Sequence, residues 1–272
     1  MPQTRQAAEK RRDRMNALEK KLVELLKTLR QQYGAVAVKC SLEAEGIRLE
    51  EIARTKELTL RAGVGLTIKL GGCEALTDLR LAKMFGVDTV MAPMIESKFA
   101  LEKYLAMVSA EYTAEELVAM KVFINIETTD GYEKIDQILR AENICRLNGI
   151  VLGRSDLVKA LGVADVNAPQ VLDIAKNLFA TAKRHSLLCL VGGGVTTASV
   201  PFLQQLNGVL DGFETRKVVF AGTGEAGGLT EAGILRALQF EYHWYELKQH
   251  YYGRLCNEDT GKMKTLAAVL KL

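Results

Sequence analysis

Short apolar runs recur along the chain from residue 35 onward, and segments with helical spacing separate most of them. The runs are rich in Val, Ile and Leu, which is typical of strands buried on both faces of a parallel sheet. Eight such runs are predicted as strands: 35–38, 65–70, 89–92, 121–126, 149–152, 187–191, 209–213 and 218–221. Eight strands with helical spacers in a chain of 272 residues predict a (β/α)₈ TIM barrel. A doubly wound open sheet is the alternative, but no GxGxxG motif follows the first run.

Helical spacing is found between the runs and at both ends of the chain. The N-terminal stretch 3–32 lacks Gly and Pro and carries an apolar stripe that strengthens toward its end. The predicted helices between and after the strands are 49–61, 75–85, 98–109, 131–141, 171–184 and 232–249. The chain has no long linker, so we expect an N-terminal helical extension over 1–33 and one barrel domain over 34–272. That domain includes an aromatic-rich C-terminal helix.

The charge distribution and the cysteine pattern argue against several classes of protein. The net charge is +3, and the basic excess is concentrated in the first 30 residues, so the body lacks the broad basic face of a nucleic-acid binder. No apolar stretch is long enough to cross a membrane, and the N-terminus lacks the apolar core of a secretory signal. The five cysteines form no CxxC pair, which indicates reduced thiols. We therefore expect a cytoplasmic protein without a nucleic-acid or membrane partner.

Two carboxylates occupy equivalent places at the ends of neighbouring predicted strands. Glu127 closes the run 122–127, and Asp156 follows the strand and glycine of 149–153. A helical segment separates the two strands, so they should be parallel neighbours with both acids at the C-terminal edge of the sheet. Two carboxylates there suit a hard divalent cation such as Mg²⁺. Helix capping is the competing role for Asp156.

Other predicted site residues lie in Gly-rich or basic segments near strand ends. Gly193 and Gly194 follow the sixth run, where backbone N–H groups could receive a phosphate or carboxylate; a tight turn is the competing interpretation. Arg154, beside Asp156, is a further candidate for binding substrate. Arg216 could bind a substrate carboxylate, but a surface ion pair with Glu214 is an equal alternative. The loop 221–228 is predicted to lie at the same end of the barrel.

Three segments, taken in order, resemble a known family. Residues 86–97 read GVDTVMAPMIES, residues 124–128 read INIET, and residues 152–157 read LGRSDL. These are similar to motifs of the citrate lyase β-subunit and 2-oxo-acid aldolase family, and the resemblance covers residues 35 to about 240. It implies a TIM barrel that uses Mg²⁺ or Mn²⁺, held by Glu127 and Asp156. It also implies a small-molecule substrate, either a 2-oxo acid that reacts through a pyruvate-like enolate or an acyl-CoA ester.

The same resemblance implies a homo-oligomer, a trimer or hexamer that exchanges its last helix between subunits. The C-terminal segment 240–272 carries a cluster of aromatic side chains, which is typical of an interface. Packing of the last helix on its own barrel is an equal alternative.

The chain departs from the family pattern at two positions. Lys69 stands where family members carry an arginine that holds the substrate carboxylate and enolate oxygen; a lysine is a point charge rather than a planar fork. Glu45 stands where aldolase members carry a proton-shuttling histidine. We therefore predict Lys69 as a catalytic and substrate-binding residue and Glu45 as a candidate general base.

Three alternatives remain open from the sequence. A Schiff-base aldolase would use a lysine of lowered pKa, with Lys69 first and Lys39 and Lys217 as rivals. An acyl-CoA ester lyase of the malyl- or citramalyl-CoA type would share the metal pair. A non-catalytic barrel, acting as scaffold or ligand sensor, is favoured by the missing arginine and histidine. It is opposed by the carboxylate pair, which needs a cationic partner when buried.

Overall fold

Eight strands form a closed barrel in the computed structural model, which describes residues 15–43, 45–222 and 229–270. Each strand is hydrogen-bonded to the next in chain order, and β8 closes the ring against β1. The predicted barrel is confirmed, with a strand at or overlapping each of the eight runs; β7 begins three residues later than the predicted run 209–213. They are β1 Ala35–Ser41, β2 Gly65–Lys69, β3 Thr89–Ala92, β4 Lys121–Ile126, β5 Gly149–Gly153, β6 Leu188–Gly192, β7 Gly212–Glu214 and β8 Val218–Ala221.

The eighth strand runs in the opposite direction to the other seven. Strands β1 to β7 pair in parallel, whereas β8 is antiparallel to both β7 and β1. The expectation of a uniform β/α repeat is wrong at this point, because only three residues, 215–217, join β7 to β8. A link this short can form a hairpin but not the crossover that a parallel pair needs.

Local hydrogen bonds stabilise this hairpin. Thr215 donates its backbone N–H to Val218 O at 2.9 Å and accepts the Val218 N–H on its hydroxyl at 3.1 Å. The reversal places the end of β8 at the N-terminal end of the barrel, where Ala221 N–H bonds to Gly34 O. The prediction that the loop 221–228 joins the C-terminal end is therefore wrong for its first residues. Residues 223–228 lie outside the described part of the chain.

Helices cover most of the outside of the barrel. The predicted helical segment 131–141 is divided into two short helices, and the last helix extends well beyond its predicted end at residue 249. The helices are α1 Ala17–Tyr33, α2 Leu49–Ala62, α3 Leu76–Met84, α4 Lys98–Glu111, α5 Ala114–Ala119, α6 Thr129–Glu133, α7 Ile135–Ile138, α8 Arg154–Leu161, α9 Pro169–Arg184, α10 Val200–Gln204 and α11 Glu231–Leu270.

The N-terminal helix is part of the barrel's packing. Its start is fixed by a capping box between Asn16 and Glu19, and Gly34 ends it in a left-handed conformation. Leu22, Leu26 and Leu29 share one buried cluster with the strands. Helix α1 packs against α2 and α11, so it fills the side of the barrel next to β1. The first 14 residues of the predicted extension lie outside the described residues, and the division at residue 33 stays a prediction.

Inside the barrel, the inward side chains form an apolar layer below a polar one. The apolar layer consists of Ala37, Met91, Phe123, Val151, Leu190 and Val219, with Leu188 packed against it. Because side chains alternate along a strand, the next inward positions toward the C-terminal ends hold Lys39, Lys69, Asn125 and Glu214. The strand pattern therefore sets ionisable groups directly above an apolar plug.

Neither a membrane span nor a disulfide is found in the described structure. No described helix is long and apolar enough to cross a bilayer. None of the five cysteines forms a disulfide within the described residues.

Gly212 at the start of β7 tests whether the hairpin closes the barrel. A Cβ at this position would collide with the backbone carbonyl of Phe220, which cannot move without breaking the pairing of β7 with β8. We expect Gly212→Ala to lower the free energy of unfolding by about 1–3 kcal/mol in urea denaturation. The matched control is Gly72→Ala, whose added Cβ meets nothing within 4 Å. Equal stabilities of the two variants would contradict this account of closure.

Candidate active site

Glu127 is a buried carboxylate at the C-terminal end of the barrel, held by two hydrogen-bond donors. It follows β4, and only 3% of its surface is exposed. Asn125 Nδ2 donates to Oε2 at 3.0 Å, and Met94 N–H donates to Oε1 at 3.0 Å. Met94 adopts a left-handed backbone conformation, φ +53°, which is uncommon for a residue with a side chain. Local strain of this kind is typical of functional sites, where the surrounding structure maintains it.

Lys69, at the end of β2, lies over the same carboxylate. Its Nζ is 3.4 and 3.3 Å from the two oxygens of Glu127 and 3.2 Å from Glu43 Oε2. Burial lowers the pKa of Lys69, but Glu127 and Glu43 raise it by more, so the net pKa lies above its ordinary value. A raised pKa keeps the amine protonated, which suits an electrostatic role and opposes a Schiff-base role.

Two further lysine–glutamate pairs lie near the barrel mouth. Lys39 of β1 is paired with Glu214 of β7, and Lys217 of the hairpin is paired with Glu45. The Lys217 ammonium also lies 5.8 Å from the centre of the Trp244 ring of α11. Glu45, the predicted base, is therefore held by Lys217. In the loop after β1, the carboxylate that contacts Lys69 is that of Glu43.

Two paired glycines make room for the buried carboxylates. Gly153 and Gly192 are register partners at the ends of β5 and β6. A Cβ on Gly153 would lie 2.6 Å from Glu127 Oε2, and one on Gly192 would lie 2.8 Å from Glu214 Oε1. Neither strand end tolerates a side chain while the glutamates keep these positions.

Asp156 begins the helix that leaves β5, within the first turn of α8. Its Oδ1 accepts from Lys159 Nζ at 2.8 Å, and 44% of its side chain is exposed. Gly153 lies against Glu127 and directly precedes this helix. Asp156 therefore follows the contact between Gly153 and Glu127 by three residues in the chain. Its predicted role as a metal ligand stays a prediction.

Arg154 braces the loops around β5 and β6. It is completely buried, with hydrogen bonds to Gly192 O, Val166 O, Asn167 Oδ1 and Ser199 Oγ. Its guanidinium stacks 4.7 Å from the centre of the Phe202 ring. Burial lowers the pKa of Arg154 to about 10. These contacts engage the planar fork with protein acceptors, so the geometry favours a structural role over the predicted substrate contact.

The remaining predicted substrate-binding residues are also engaged by the protein. Gly193 and Gly194 both have positive φ, and a Cβ on Gly193 would lie 2.5 Å from Ser155 N. A side chain would not fit at Gly193, because the loop passes close to the backbone at the start of α8. Arg216 contacts Glu241 of α11, with Nε 3.3 Å from Oε1, and is 62% exposed at its side chain. Its partner is thus Glu241, rather than the predicted Glu214.

The sequence pattern did not predict four of these residues: Glu43, Asn125, Met94 and Glu214. Asn125 was detectable, since inward alternation from Glu127 places it on the same face of β4. Glu43 lies two residues before Glu45, the residue selected, and only the path of the loop after β1 distinguishes the two. Glu214 depended on the unexpected hairpin, and Met94 contributes only its backbone.

The oxygens around Glu127 fit a divalent cation in part. Carboxylate and amide oxygens are suitable ligands, and Asn125 Oδ1 is buried without a hydrogen-bond partner. The Lys69 ammonium already neutralises Glu127, at distances that are long for a strong charge-assisted bond. Within the described residues, no three His, Cys, Asp or Glu side chains form a cluster. Any ion would therefore bind with few protein ligands and in competition with Lys69.

Comparison with known proteins confirms the resemblance seen in the sequence. Residues 73–199, slightly less than half of the chain, match the model of the HpcH/HpaI aldolase/citrate lyase family. The matched segment contains Glu127, Arg154 and Asp156. No curated protein matches the chain in sequence at a significant level.

Solved structures of that family share the fold at low sequence identity. An HpcH/HpaI aldolase from Desulfitobacterium hafniense DCB-2 aligns with a TM-score of 0.55 and 14% identity, over 70% of this chain and 88% of its own. A family protein from Burkholderia cenocepacia J2315 gives 0.56 and 13%, over 82% and 99%. The citrate synthase SbnG gives 0.56 and 14%, over 89% and 90%. At these identities the likeness establishes the barrel fold.

Replacing Arg154 tests its structural role. Lysine keeps the positive charge, but one ammonium cannot donate hydrogen bonds to acceptors on three chain segments at once. We expect Arg154→Lys to lower the free energy of unfolding by about 1–3 kcal/mol in urea denaturation. The matched control is Arg80→Lys, whose ion pair with Glu111 lies at the surface with 63% of the arginine side chain exposed. Equal loss in both variants would contradict the bracing role.

Proposed function

We propose that this protein is a divalent-metal-dependent carbon–carbon lyase of the aldolase type, which forms or cleaves bonds through a pyruvate-like enolate. The observation that supports this most strongly is the Lys69–Glu127 contact at the C-terminal end of the barrel. TIM-barrel enzymes have their active sites at that end. The family match over residues 73–199 agrees with the reaction class.

Glu127 and Asp156 are the proposed ligands of Mg²⁺ or Mn²⁺. Glu127 is positioned by Asn125 and Met94, and Asp156 lies on the helix that starts beside it. A bound divalent ion would supply Lewis acidity toward the carbonyl oxygen of the substrate. Lys69 also contacts Glu43. Its ammonium could therefore remain in the site if Glu127 bound the metal ion.

The residues of the chain handle charge and protons in the proposed reaction. Lys69 offsets the negative charge that develops on the carbonyl oxygen when the enolate forms. Glu43, 3.2 Å from Lys69 and partly exposed at the mouth, accepts the proton from the methyl carbon and returns it in the reverse direction. Glu45 had this role in the sequence prediction. Its pairing with Lys217 makes Glu43 the better-placed base.

We further propose a cytoplasmic homo-oligomer that contacts its copies through α11. Phe240 and Trp244 of this helix are buried, so part of the aromatic cluster packs on the barrel. Tyr242 and Tyr251 remain exposed at 68% and 52%, which leaves large rings for an interface.

Solvent exchange of pyruvate protons tests the proposed enolate chemistry. In D₂O with Mg²⁺ or Mn²⁺, we expect the pyruvate methyl NMR signal to disappear, because each enolate returns to pyruvate with a deuteron. EDTA should stop the loss, and Glu127→Gln should lower its rate about a hundredfold or more. The matched control is Glu115→Gln on α5, an exposed carboxylate outside the barrel mouth.

Each other result points to a different chemistry. Exchange that survives EDTA would contradict metal dependence, and borohydride trapping with mass spectrometry would then test Lys69 as a Schiff-base residue. No exchange, together with thermal stabilisation by CoA esters, would favour an acyl-CoA ester lyase. No exchange and no stabilisation by either substrate class would favour a non-catalytic barrel.

Metal binding by Lys69 variants tests the competition at Glu127 without relying on activity. Removing the ammonium in Lys69→Met leaves the buried carboxylate without its cation, so we expect Mn²⁺ to bind at least about tenfold more tightly. Binding is measured by the loss of the free Mn²⁺ signal in electron paramagnetic resonance. Lys69→Arg keeps the charge as a planar fork that is harder to displace, so it should bind Mn²⁺ less tightly than the unchanged protein. Weaker binding by Lys69→Met would contradict the competition.

A further inference from the structure

A cavity opens at the N-terminal end of the barrel, the end opposite Lys69 and Glu127. Its volume is about 190 Å³. The residues around its opening lie at or near the starts of parallel strands, and Ala221 ends the reversed strand β8 there. Its deeper walls are apolar side chains of the inner layer: Ala37, Met91, Phe123, Leu190 and Val219. The cavity can therefore hold a hydrocarbon group away from water.

A row of polar residues crosses one wall of this cavity. Thr67, Thr89 and Lys121 are register partners on the neighbouring strands β2, β3 and β4, and all three line the cavity. Met91 and Phe123, two residues further along β3 and β4, belong to the inner layer. Because side chains alternate along a strand, Thr89 and Lys121 face inward as well. The wall therefore presents hydroxyl groups and an ammonium side by side.

The charge of Lys121 is not balanced within the described lining of the cavity. Its side chain is exposed at the opening, and no carboxylate of the described residues is paired with it. The two acids of the lining are already engaged. Asp211 is paired with Lys183, and Glu214 is paired with Lys39. The opening therefore favours a ligand that carries one negative charge.

We propose that this cavity binds a small monocarboxylate with an apolar tail. The carboxylate pairs with Lys121 and accepts a hydrogen bond from Thr89, and the tail lies against the inner layer. An apolar cavity of about 150 Å³ in another protein accommodates benzene, so the cavity here suits a ligand of about six to nine non-hydrogen atoms. A phosphate monoester is disfavoured, because its charge approaches about −2 and one ammonium balances only half of it.

Three probes separate the charge of the ligand from its hydrocarbon tail. Hexanoate and hexanamide have the same number of non-hydrogen atoms, but only hexanoate is charged; acetate has the charge without the longer tail. Binding to the full-length protein is followed by the methyl NMR signal of Met91, which lines the cavity. We expect hexanoate to bind about threefold to tenfold more tightly than hexanamide. It should bind about a hundredfold or more tightly than acetate.

Met94 reports on the other end of the barrel in the same experiment. Its backbone N–H is bonded to Glu127, so a carboxylate held in the proposed active site should shift the Met94 signal. We expect hexanoate to shift Met91 at concentrations that leave Met94 unchanged. The result does not depend on the proposed lyase chemistry, and failure of either proposal leaves the other standing.

Three variants test the ionic contact and the position of the tail. Lys121→Met removes the ammonium and keeps an unbranched chain, so hexanoate should bind no more tightly than hexanamide, whose own affinity should change by less than about twofold. The matched control is Lys176→Met, which removes an exposed lysine of α9 and should leave both affinities unchanged. Ala37→Leu fills the cavity from its wall and should abolish the response of Met91 to both ligands.

Three results would overturn the proposal. Equal affinity of the unchanged protein for hexanoate and hexanamide would remove Lys121 as the ionic anchor. A preference for hexanoate that persists in Lys121→Met would place the carboxylate elsewhere. The absence of any Met91 shift would leave a cavity that contains only solvent. Because Lys121 is exposed, the comparison of the two ligands in Lys121→Met decides the matter even if Ala37→Leu does not fold.

Discussion

The buried glutamates of the barrel interior impose the strongest constraint on this structure. A carboxylate removed from water is tolerated only when a cation and hydrogen-bond donors replace its hydration. Glu127 is 3% exposed and Glu214 is 2% exposed, and each is paired with a lysine from a different strand. The pairs join β2 to β4 and β1 to β7, so the electrostatics of the site and the closure of the barrel depend on the same contacts.

The use of lysine at this position has a consequence for function. An arginine fork would bind a carboxylate through two parallel bonds and would be hard to displace. The Lys69 ammonium instead lies 3.2–3.4 Å from three oxygens of Glu43 and Glu127, a shared and looser arrangement. It can therefore stay close to one acid while the other acid accepts a different cation. Glu127 and Glu43 raise the pKa of Lys69, so the ammonium stays positively charged in the arrangement described.

Much of the fold was predictable from the sequence because buried parallel strands give continuous apolar runs of the correct length. Seven runs match strands closely and the seventh in order overlaps β7 at two residues, and Glu127 directly follows β4 as expected. The direction of β8 was not predictable from its apolar content, because the run Val218–Ala221 reads the same in either orientation. The short link before it, four residues between the predicted runs 209–213 and 218–221, was the available signal. The contacts of Glu43, Arg154 and Arg216 depend on loop paths and on α8 to α11, which local patterns do not specify.

The reversed strand gives the two ends of the barrel different character. At the C-terminal end, the hairpin residues 215–217 bring Lys217 against Glu45 and Trp244, which adds charge to the mouth of the proposed active site. At the other end, β8 finishes beside the starts of its neighbours, around a cavity lined by apolar side chains together with Thr89, Lys121 and Asp211. Glu214 lies on the shorter strand of the hairpin, bonded to Lys39 through one oxygen and unpaired at the other. The inner layer of Ala37, Met91, Phe123, Val151, Leu190 and Val219 lies between the ionic groups at the C-terminal end and the N-terminal end of the barrel.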